Sequence, residues 1–486
     1  MSALLTQTEK LEENIRNALK WQGPYPANWV PPHPGVDHDV VIVGGGQTGV
    51  AAAYGLRRRG VARVSVIDAA REGESMWTSI ARMNLLRTPK FMPGPELGNT
   101  LLSFRAWYET QRGAEAFDAL PRISRTDWAA YLEWFRKAVN VEVRHETRLL
   151  DIEPVKEGLR LHLDVKGERR SEITRKLVLA TGFAGGGGSN VPDFIRTLPK
   201  SLWAHTNEQI DFVSLKGRRV AVLGVGPSGF DAAAVALETG AGAVHLFSRR
   251  DHITYAPNRP PAKMPFGKFF PGAEENFPFL PDDVRWRHQS ILDEAGASTP
   301  VDSIDRATRF DHFHIHLGVK DLRIEPSVNA TDGLVFLDGD ARHEFDFLIA
   351  ATGFRVDLGL RPELRNIAGD ILLWGDRYQP EWGERNPVAE LYPYLGQGFE
   401  FLEKVPGRAP WLADIHCFNI AASLSIGRYV SDIPSLSSLP LLIKTIVRDL
   451  FLADYDHHLE EINGPSLFSI FANDMDPYKK AIWNGA

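Results

Sequence analysis

The hydrophobic positions of this chain fall into a pattern that occurs twice. Residues 40–43 form an uninterrupted apolar run, which is typical of a strand buried on both faces of a parallel sheet. The chain then turns through glycines and continues with a helical pattern that ends near Gly60. The same succession of apolar run, glycine turn and helix returns at residues 218–234. This alternation predicts an α/β protein with two Rossmann-like units.

The first glycine turn has the spacing of a dinucleotide-binding site. We expect Gly44 to make the turn, Gly46 to let the backbone approach a pyrophosphate, and Gly49 to let the helix pack closely on the strand. The helix N-terminus that follows favours negative charge. Asp68 comes 19 residues after Gly49, at the end of the next strand, where its carboxylate would bind a ribose hydroxyl. Together these residues predict a bound dinucleotide.

The second glycine turn differs from the first at one informative position. Its three glycines are Gly224, Gly226 and Gly229, and the next strand ends at Ser248 where the first unit has Asp68. Arg249 and Arg250 follow. A hydroxyl and two guanidinium groups suit the 2′-phosphate of NADP(H), which a carboxylate would repel. This favours NADP(H) over NAD(H), although two arginines also occur at a solvated strand end.

Two segments that contain Ala-Thr-Gly indicate how the units are connected. Residues 176–183 and 345–354 each predict a buried strand that ends in this tripeptide, and they bracket the second glycine turn. The chain is therefore expected to leave a first domain, build a second and return. We expect the glycine-rich run at residues 183–192 to be a flexible crossing. The predicted divisions are an N-terminal helix and proline-rich linker (1–36), a first domain (37–210 and 346–486, with a C-terminal helical segment) and an inserted second domain (211–345).

Composition excludes several classes of partner. The 486 residues carry a net charge of -7, which gives no basic surface for nucleic acid. The N-terminal segment is polar and no apolar run is long enough to span a bilayer, so the sequence predicts a cytoplasmic protein without a membrane partner. The chain has one cysteine, Cys417, whereas a flavin-dependent disulfide reductase requires a redox-active pair.

The motifs resemble those of the class B flavin monooxygenases over residues 37–434. The resemblance rests on the two glycine turns, on Asp231 in the second of them, and on Asp346 ahead of the second Ala-Thr-Gly. It implies FAD at the first turn and NADPH at the second, within an α/β fold whose NADPH domain is inserted in the FAD domain. It further implies that O2 and a small substrate (an amine, sulfide or ketone) react through a flavin peroxide adduct. An NADPH-dependent flavin reductase or oxidase without oxygen transfer is the alternative.

The resemblance also suggests catalytic candidates. Of the fingerprint that marks Baeyer-Villiger enzymes only His205 is present, and it is equally compatible with a structural role. Arg87, one predicted helical turn after Asn84, falls where members of the group pass the flavin ring. A guanidinium there would stabilise developing negative charge. Contact with phosphate or solvent is the alternative for Arg87.

Further residues are candidates because they flank these motifs. The full set of predicted cofactor contacts is Gly44, Gly46, Gln47, Thr48, Gly49, Asp68, Trp77, Thr181, Gly182, Gly224, Gly226, Pro227, Ser228, Gly229, Ser248, Arg249, Arg250, Thr352, Gly353 and Asp432. No metal site is expected, although His312, His314 and His316 would share one face of a strand. The insertion at residues 252–301 would either cover the substrate or pack on the second domain.

Overall fold

The computed structural model describes residues 6–21, 26–256, 276–320, 322–326, 333–338, 341–463, 481, 483 and 485. Two parallel sheets organise these residues, as an α/β fold requires. The strands, in chain order, are β1 His38–Val43, β2 Val64–Ile67, β3 Val143–Arg144, β4 Thr147–Val155, β5 Gly158–Val165, β6 Glu168–Leu179, β7 Trp203–His205, β8 Arg219–Leu223, β9 Ala243–Phe247, β10 Tyr255–Ala256, β11 Thr299–Pro300, β12 Phe313–His316, β13 Arg323–Pro326, β14 Leu334–Asp338, β15 Ala341–Phe345, β16 Phe347–Ala350 and β17 Ile415–Cys417.

Helices of the described residues cover and connect the sheets. They are α1 Gln7–Trp21, α2 Gln47–Arg58, α3 Met76–Ser79, α4 Phe104–Arg112, α5 Ala114–Ala119, α6 Arg125–Ala138, α7 Asp193–Arg196, α8 Pro227–Glu238, α9 Asp282–Ala295, α10 Val301–Thr308, α11 Trp374–Arg377, α12 Ser423–Ile426, α13 Leu439–Ala453 and α14 Tyr455–Asn463. In this described part of the chain, none is both long enough and apolar enough to cross a membrane.

The first sheet contains the first glycine turn. Its parallel strands run in the order β3-β2-β1-β6, and β17 pairs with β6 in parallel. The antiparallel strands β5 and β4 extend the sheet from β6. The central strand β1 is almost wholly buried, which explains its uninterrupted apolar sequence. Helix α1 also packs on this unit, where Leu11 and Ile15 are buried in its hydrophobic core.

The second sheet repeats this arrangement. Its order is β12-β9-β8-β16-β7, all parallel. It draws strands from residues 203–350, so it extends beyond the predicted 211–345 segment at both ends. Strand β16, with the second Ala-Thr-Gly, belongs to this sheet because its apolar residues pair with β8 and β7. The return to the first sheet is made by β17 instead.

The expectation of a flexible glycine-rich crossing at residues 183–192 is wrong. Gly185 and Gly186 are buried, and a Cβ on Gly186 would lie 2.6 Å from Ile420 Cγ2. A Cβ on Gly187 would lie 2.6 Å from the backbone nitrogen of Asp357. These glycines are needed because another chain segment passes too close for side chains, and not because the crossing must bend.

Candidate functional site: two dinucleotide turns

Each of the three glycines of the first turn has a separate geometric reason. Gly44 has a φ of 112°, and a Cβ there would lie 2.3 Å from the Ala180 carbonyl oxygen. A Cβ on Gly49 would lie 1.8 Å from the Gly44 oxygen, so the start of α2 contacts the turn directly. A Cβ on Gly46 meets no described atom within 4 Å. The open space at Gly46, before the N-terminus of α2, fits the pyrophosphate of a dinucleotide.

The second turn reproduces this geometry. Gly224 has a φ of 123°, and its Cβ would lie 2.4 Å from the Ala351 oxygen. A Cβ on Gly229 would lie 2.0 Å from the Gly224 oxygen, whereas a Cβ on Gly226 would enter open space. Pro227 occupies the first turn of α8 with Ser228 beside it, which suits proline because that position needs no amide hydrogen. The residues present therefore fit a dinucleotide at each turn.

The residues that flank the first turn are held by well-defined hydrogen bonds. Asp68 directly follows β2, and its carboxylate accepts hydrogen bonds from the backbone nitrogens of Gly45 at 2.6 Å and Ala70 at 2.7 Å. The Gln47 amide accepts from Trp128 Nε1 at 3.1 Å and donates to the Ser431 carbonyl at 3.5 Å. Thr48 is buried in the first turn of α2. The first turn is thus joined to the C-terminal segment near Asp432.

The two Ala-Thr-Gly loops lie at equivalent places and contact each other. Thr181 accepts a hydrogen bond from Asn419 Nδ2 at 3.0 Å, and Thr352 donates to the Asn190 carbonyl. Gly182 and Gly353 have φ values of 72° and 79°. The segments that follow these loops are joined by stacking of Phe183 on Phe354, with ring centroids 5.7 Å apart. Asn419 was not among the sequence candidates, since nothing local marks it.

A cleft of about 520 Å³ lies beside the end of β9. It is lined by Arg249, Arg250, Asp251, His252, Glu294, Gly318 and Lys320. Ser248 itself is buried, and its hydroxyl accepts from the Arg250 backbone nitrogen at 3.0 Å. Sequence reasoning missed Lys320. It follows β12, which is parallel to β9, so the pairing of adjacent strand ends would have indicated it.

Arg87 lies between the two units, while Asn84 does not share its surroundings. Arg87 Nη1 lies 3.4 Å from the Ser298 carbonyl, next to the segment that contacts the second glycine turn through Thr299 and Val225. Burial raises the pKa of Asp432, and the positive charge of Arg87 is one of the effects that oppose this rise. Residues 80–88 are not helical, so the predicted turn between Asn84 and Arg87 is wrong, and Asn84 is exposed.

Two predicted residues have mainly structural surroundings. Trp77 lies in α3 and packs on the edge of the first core, where its carbonyl accepts from Arg125. His205 ends β7 and is fully buried, and its Nδ1 accepts from the Asn207 backbone nitrogen at 3.0 Å. Burial lowers the pKa of His205, which favours the neutral ring with its proton on Nε2.

A buried charged network, unrecognised in the sequence, connects the units beside Arg87. Arg82 donates from its guanidinium to the Thr206 and Glu208 carbonyls at 2.6 and 2.7 Å. Arg306 donates to the Arg82 carbonyl at 3.1 Å and lies 3.7 Å from Asp231. Burial raises the pKa of Asp231 to about 6, although Ser303 donates to its carboxylate at 2.6 Å. The segment that bears Arg87 is therefore fixed against the second unit.

Of the three histidines that would share one face of a strand, only two lie in β12. His312 precedes the strand and contacts Phe310, whereas His314 and His316 contact His245 of β9, with 2.9 Å between His245 Nδ1 and His316 Nε2. Within the described ranges, no group of three or more such side chains is arranged to hold a metal ion.

Known proteins resemble this chain in sequence and in fold. A family model described as pyridine nucleotide-disulphide oxidoreductase matches residues 38–264. A FAD-dependent urate hydroxylase from Xanthomonas campestris pv. campestris is 39% identical over 444 residues, which is 90% of this chain and 91% of that protein. The ornithine hydroxylase of Pseudomonas aeruginosa has a TM-score of 0.64 at 18% identity, over 85% of this chain and 99% of that chain. The ornithine N-hydroxylase of Kutzneria sp. 744 has a TM-score of 0.63 at 16% identity, over 85% and 99%.

The low identity of the two solved structures limits them to evidence of a shared fold. The urate hydroxylase is similar enough, over nearly all of both sequences, to show a common family. The twin dinucleotide turns have the geometry that such a family requires. This chain belongs to the class B flavin-dependent monooxygenases.

Proposed function

We propose that this protein is an NADPH- and O2-dependent flavoprotein monooxygenase that adds one oxygen atom to a small anionic substrate, with urate as the first candidate. Its cofactors are FAD and NADPH. The observation that carries the proposal is the pair of complete dinucleotide turns, each with open space at its middle glycine. When bound, FAD supplies the chemistry by which electrons from NADPH activate O2.

The flanking residues support a proposal for which cofactor binds at which turn. Asp68 suits the unphosphorylated adenosine ribose of FAD, because a carboxylate binds ribose hydroxyls and repels a 2′-phosphate. The cleft beside the second turn offers the exposed cations Arg249 and Lys320 instead. We place FAD at Gly44–Asp68 and NADPH at Gly224–Arg250 for this reason. The insertion of the NADPH unit in the FAD unit remains part of the proposal, with the NADPH unit extended to include β7 and β16.

Positive charge between the units supports an anionic substrate. Arg87 is half-buried, and within the described part of the chain its guanidinium makes one long hydrogen bond, to the Ser298 carbonyl, and interacts with the Asp432 charge. Arg122 is buried next to it and donates to the Arg87 carbonyl, which fixes the backbone there. A guanidinium held in this way can bind a planar anion with two hydrogen bonds. This favours urate over the uncharged ketones and sulfides and the cationic amines that the sequence left open, as does the urate hydroxylase activity for which the Xanthomonas relative is named.

The proposal is tested by following oxygen from 18O2 into the product. FAD-loaded protein supplied with NADPH, urate and 18O2 should give a product whose mass includes one 18O atom, with little hydrogen peroxide. Consumption of NADPH with an equivalent amount of peroxide and no labelled product, for urate and for a panel of amines, sulfides and ketones, would instead identify a reductase or oxidase.

A matched pair of variants tests the substrate site. Arg87→Met should raise the KM for urate by roughly tenfold, because a charge-assisted contact of about 1.5–3 kcal/mol is lost. Lys90→Met is the control. Lys90 lies on the same segment as Arg87, but its ammonium donates to the Phe117 and Asp118 carbonyls. An equal effect of both variants would show that the segment's fold, and not the Arg87 charge, is involved.

A cytoplasmic location also belongs to the proposal and is supported by the need for NADPH.

A further inference from the structure

Helix α9 belongs by sequence to the second unit but packs on the first. Trp286 is fully buried, its Nε1 donates to the Glu384 carbonyl at 2.8 Å, and its ring packs against Trp374 and Tyr378. Arg285 donates to the Tyr394 hydroxyl at 3.0 Å. Elsewhere in the described part of the insertion, Thr299 contacts Val225 of the second unit, so the insertion does not pack on that domain alone. It connects the two units.

The C-terminal half of α9 contacts the segment that leads to Asp432. The Tyr429 hydroxyl donates to the Leu292 carbonyl at 3.1 Å, and His288 Nε2 lies 2.8 Å from the Gly427 carbonyl. These contacts lie three and five residues before Asp432, close to the Ser431 carbonyl that Gln47 contacts. A displacement of α9 would therefore shift the residues that contact the first dinucleotide turn.

Arg250 holds the C-terminus of this helix. Its Nη1 donates to the Ala295 carbonyl at 3.0 Å and its Nη2 lies 3.3 Å from the Asp293 carbonyl. Gly296 ends α9 with a φ of 63°, and a Cβ there would lie 2.6 Å from Arg250 Nη1. The guanidinium thus packs flat on the glycine and supplies positive charge where carbonyls at a helix C-terminus lack partners.

This geometry separates Arg250 from its neighbours in the cleft. Both terminal nitrogens of Arg250 already face helix carbonyls, whereas the Arg249 and Lys320 side chains are exposed on the cleft. We infer that Arg250 is a positioning residue that fixes α9 between the units, and so sets the approach of the NADPH unit to the flavin unit, while Arg249 and Lys320 bind the 2′-phosphate. This inference rests on the proposed function for its nucleotide part.

Nucleotide affinity and hydride transfer separate these roles. Arg249→Ala should raise the Kd for NADP+ by roughly tenfold or more and leave that for NAD+ unchanged. Arg250→Met should change both Kd values by the same factor, within about twofold, and lower the limiting reduction rate several-fold with either nucleotide. Arg250→Lys should recover part of that rate, because its ammonium can still bind one helix carbonyl.

A second measurement uses the apoprotein and needs no flavin chemistry. Arg250→Met should increase backbone amide exchange in α9 relative to wild type, whereas Arg249→Ala should not. Tyr429→Phe removes a second contact to α9, at Leu292. Because both contacts position the same helix, the effects of Tyr429→Phe and Arg250→Met on the reduction rate should not add. A selective loss of NADP+ affinity in Arg250→Met, with unchanged exchange in α9, would overturn the inference. Failure of the proposed function would appear differently. The variants would show the expected differences in amide exchange, but NADPH would not reduce the flavin of the wild-type protein.

Discussion

The two nucleotide-binding units share one backbone plan and differ in the residues around it. The order β3-β2-β1-β6-β17 in the first sheet corresponds to β12-β9-β8-β16-β7 in the second. Leu179 pairs with Cys417 where Ala350 pairs with His205, so even the strand ends coincide. Only the first sheet, among the described residues, continues into an antiparallel pair, β5 and β4.

The differences lie where each unit must distinguish its ligand or its neighbour. Asp68 in the first unit is replaced by Ser248 and Arg249 in the second. Within the helix, Ala51 is replaced by Asp231, and both are buried. Asp231 accepts a hydrogen bond from Ser303 and lies near Arg306, and Arg306 contacts Arg82 of the first unit. The comparison teaches that the two glycine turns share one backbone geometry, whereas the side chains that flank them and the contacts between the units differ.

The largest expected effect comes from filling the open middle glycine of each turn. Gly46 and Gly226 both have a φ of -75°, so leucine is sterically acceptable to the backbone and only ligand approach is blocked. Gly46→Leu should lower FAD affinity by at least about 100-fold, measured by flavin fluorescence on titration into apoprotein. Gly226→Leu should retain FAD and lose its spectral response to NADP+. If either variant lost both FAD and NADP+ binding, the two turns would not bind their ligands independently.

A carboxylate placed in the second unit should make it behave more like the first. Ser248→Asp puts a negative charge where the 2′-phosphate is expected, so the Kd for NADP+ should rise by roughly tenfold or more through repulsion. The Kd for NAD+ should stay constant or fall. Ser248→Asn is the control, because it changes size without charge. Equal weakening of both nucleotides by Ser248→Asp would contradict the assignment of the phosphate to this position.

The buried acid Asp231, which replaces Ala51 of the first unit, should give a pH-dependent stability. The folded pKa of Asp231 is raised to about 6 from 3.8, so the folded state binds its proton more tightly than the unfolded state. The resulting stabilisation is complete below pH 3.8 and is lost as the pH rises through 6. Between pH 4 and 6.5, wild type should therefore lose about 2 kcal/mol relative to Asp231→Asn, measured by urea unfolding. Parallel pH profiles of the two proteins would show that Asp231 is ionised throughout.

The smallest effect is expected at Cys417, the counterpart of His205. Burial raises the pKa of the Cys417 thiol to about 12, so the folded protein should not react with iodoacetamide at pH 8 over an hour, measured by intact mass. The same protein in urea should take up one label. Rapid labelling of the folded protein would show that β17 opens and exposes Cys417. The burial of Cys417 in β17 would then not be permanent.

The sequence predicted the features that depend on local backbone geometry. Glycine spacing specified both turns because Gly44 and Gly224 must adopt positive φ close to a neighbouring carbonyl, and such constraints leave a sequence signal. The cofactor assignment followed from Asp68 and Ser248, which stand at fixed distances from those turns. The glycine-rich run at 183–192 was misinterpreted because glycine serves flexibility and close packing alike, and only the neighbouring segment distinguishes them.

The tertiary structure alone decided which distant residues meet. By itself the sequence determined two glycine turns, their order along the chain and the side chains that stand where each ribose is expected. Each turn and its flanking side chains lie within about 20 positions of one another. The structure assigned β16 to the second sheet, brought Lys320 beside Arg249, and turned Arg250 towards α9. These outcomes depend on strand pairing and packing between segments far apart in the chain, where a long-range contact leaves no periodic or local pattern for the sequence to show.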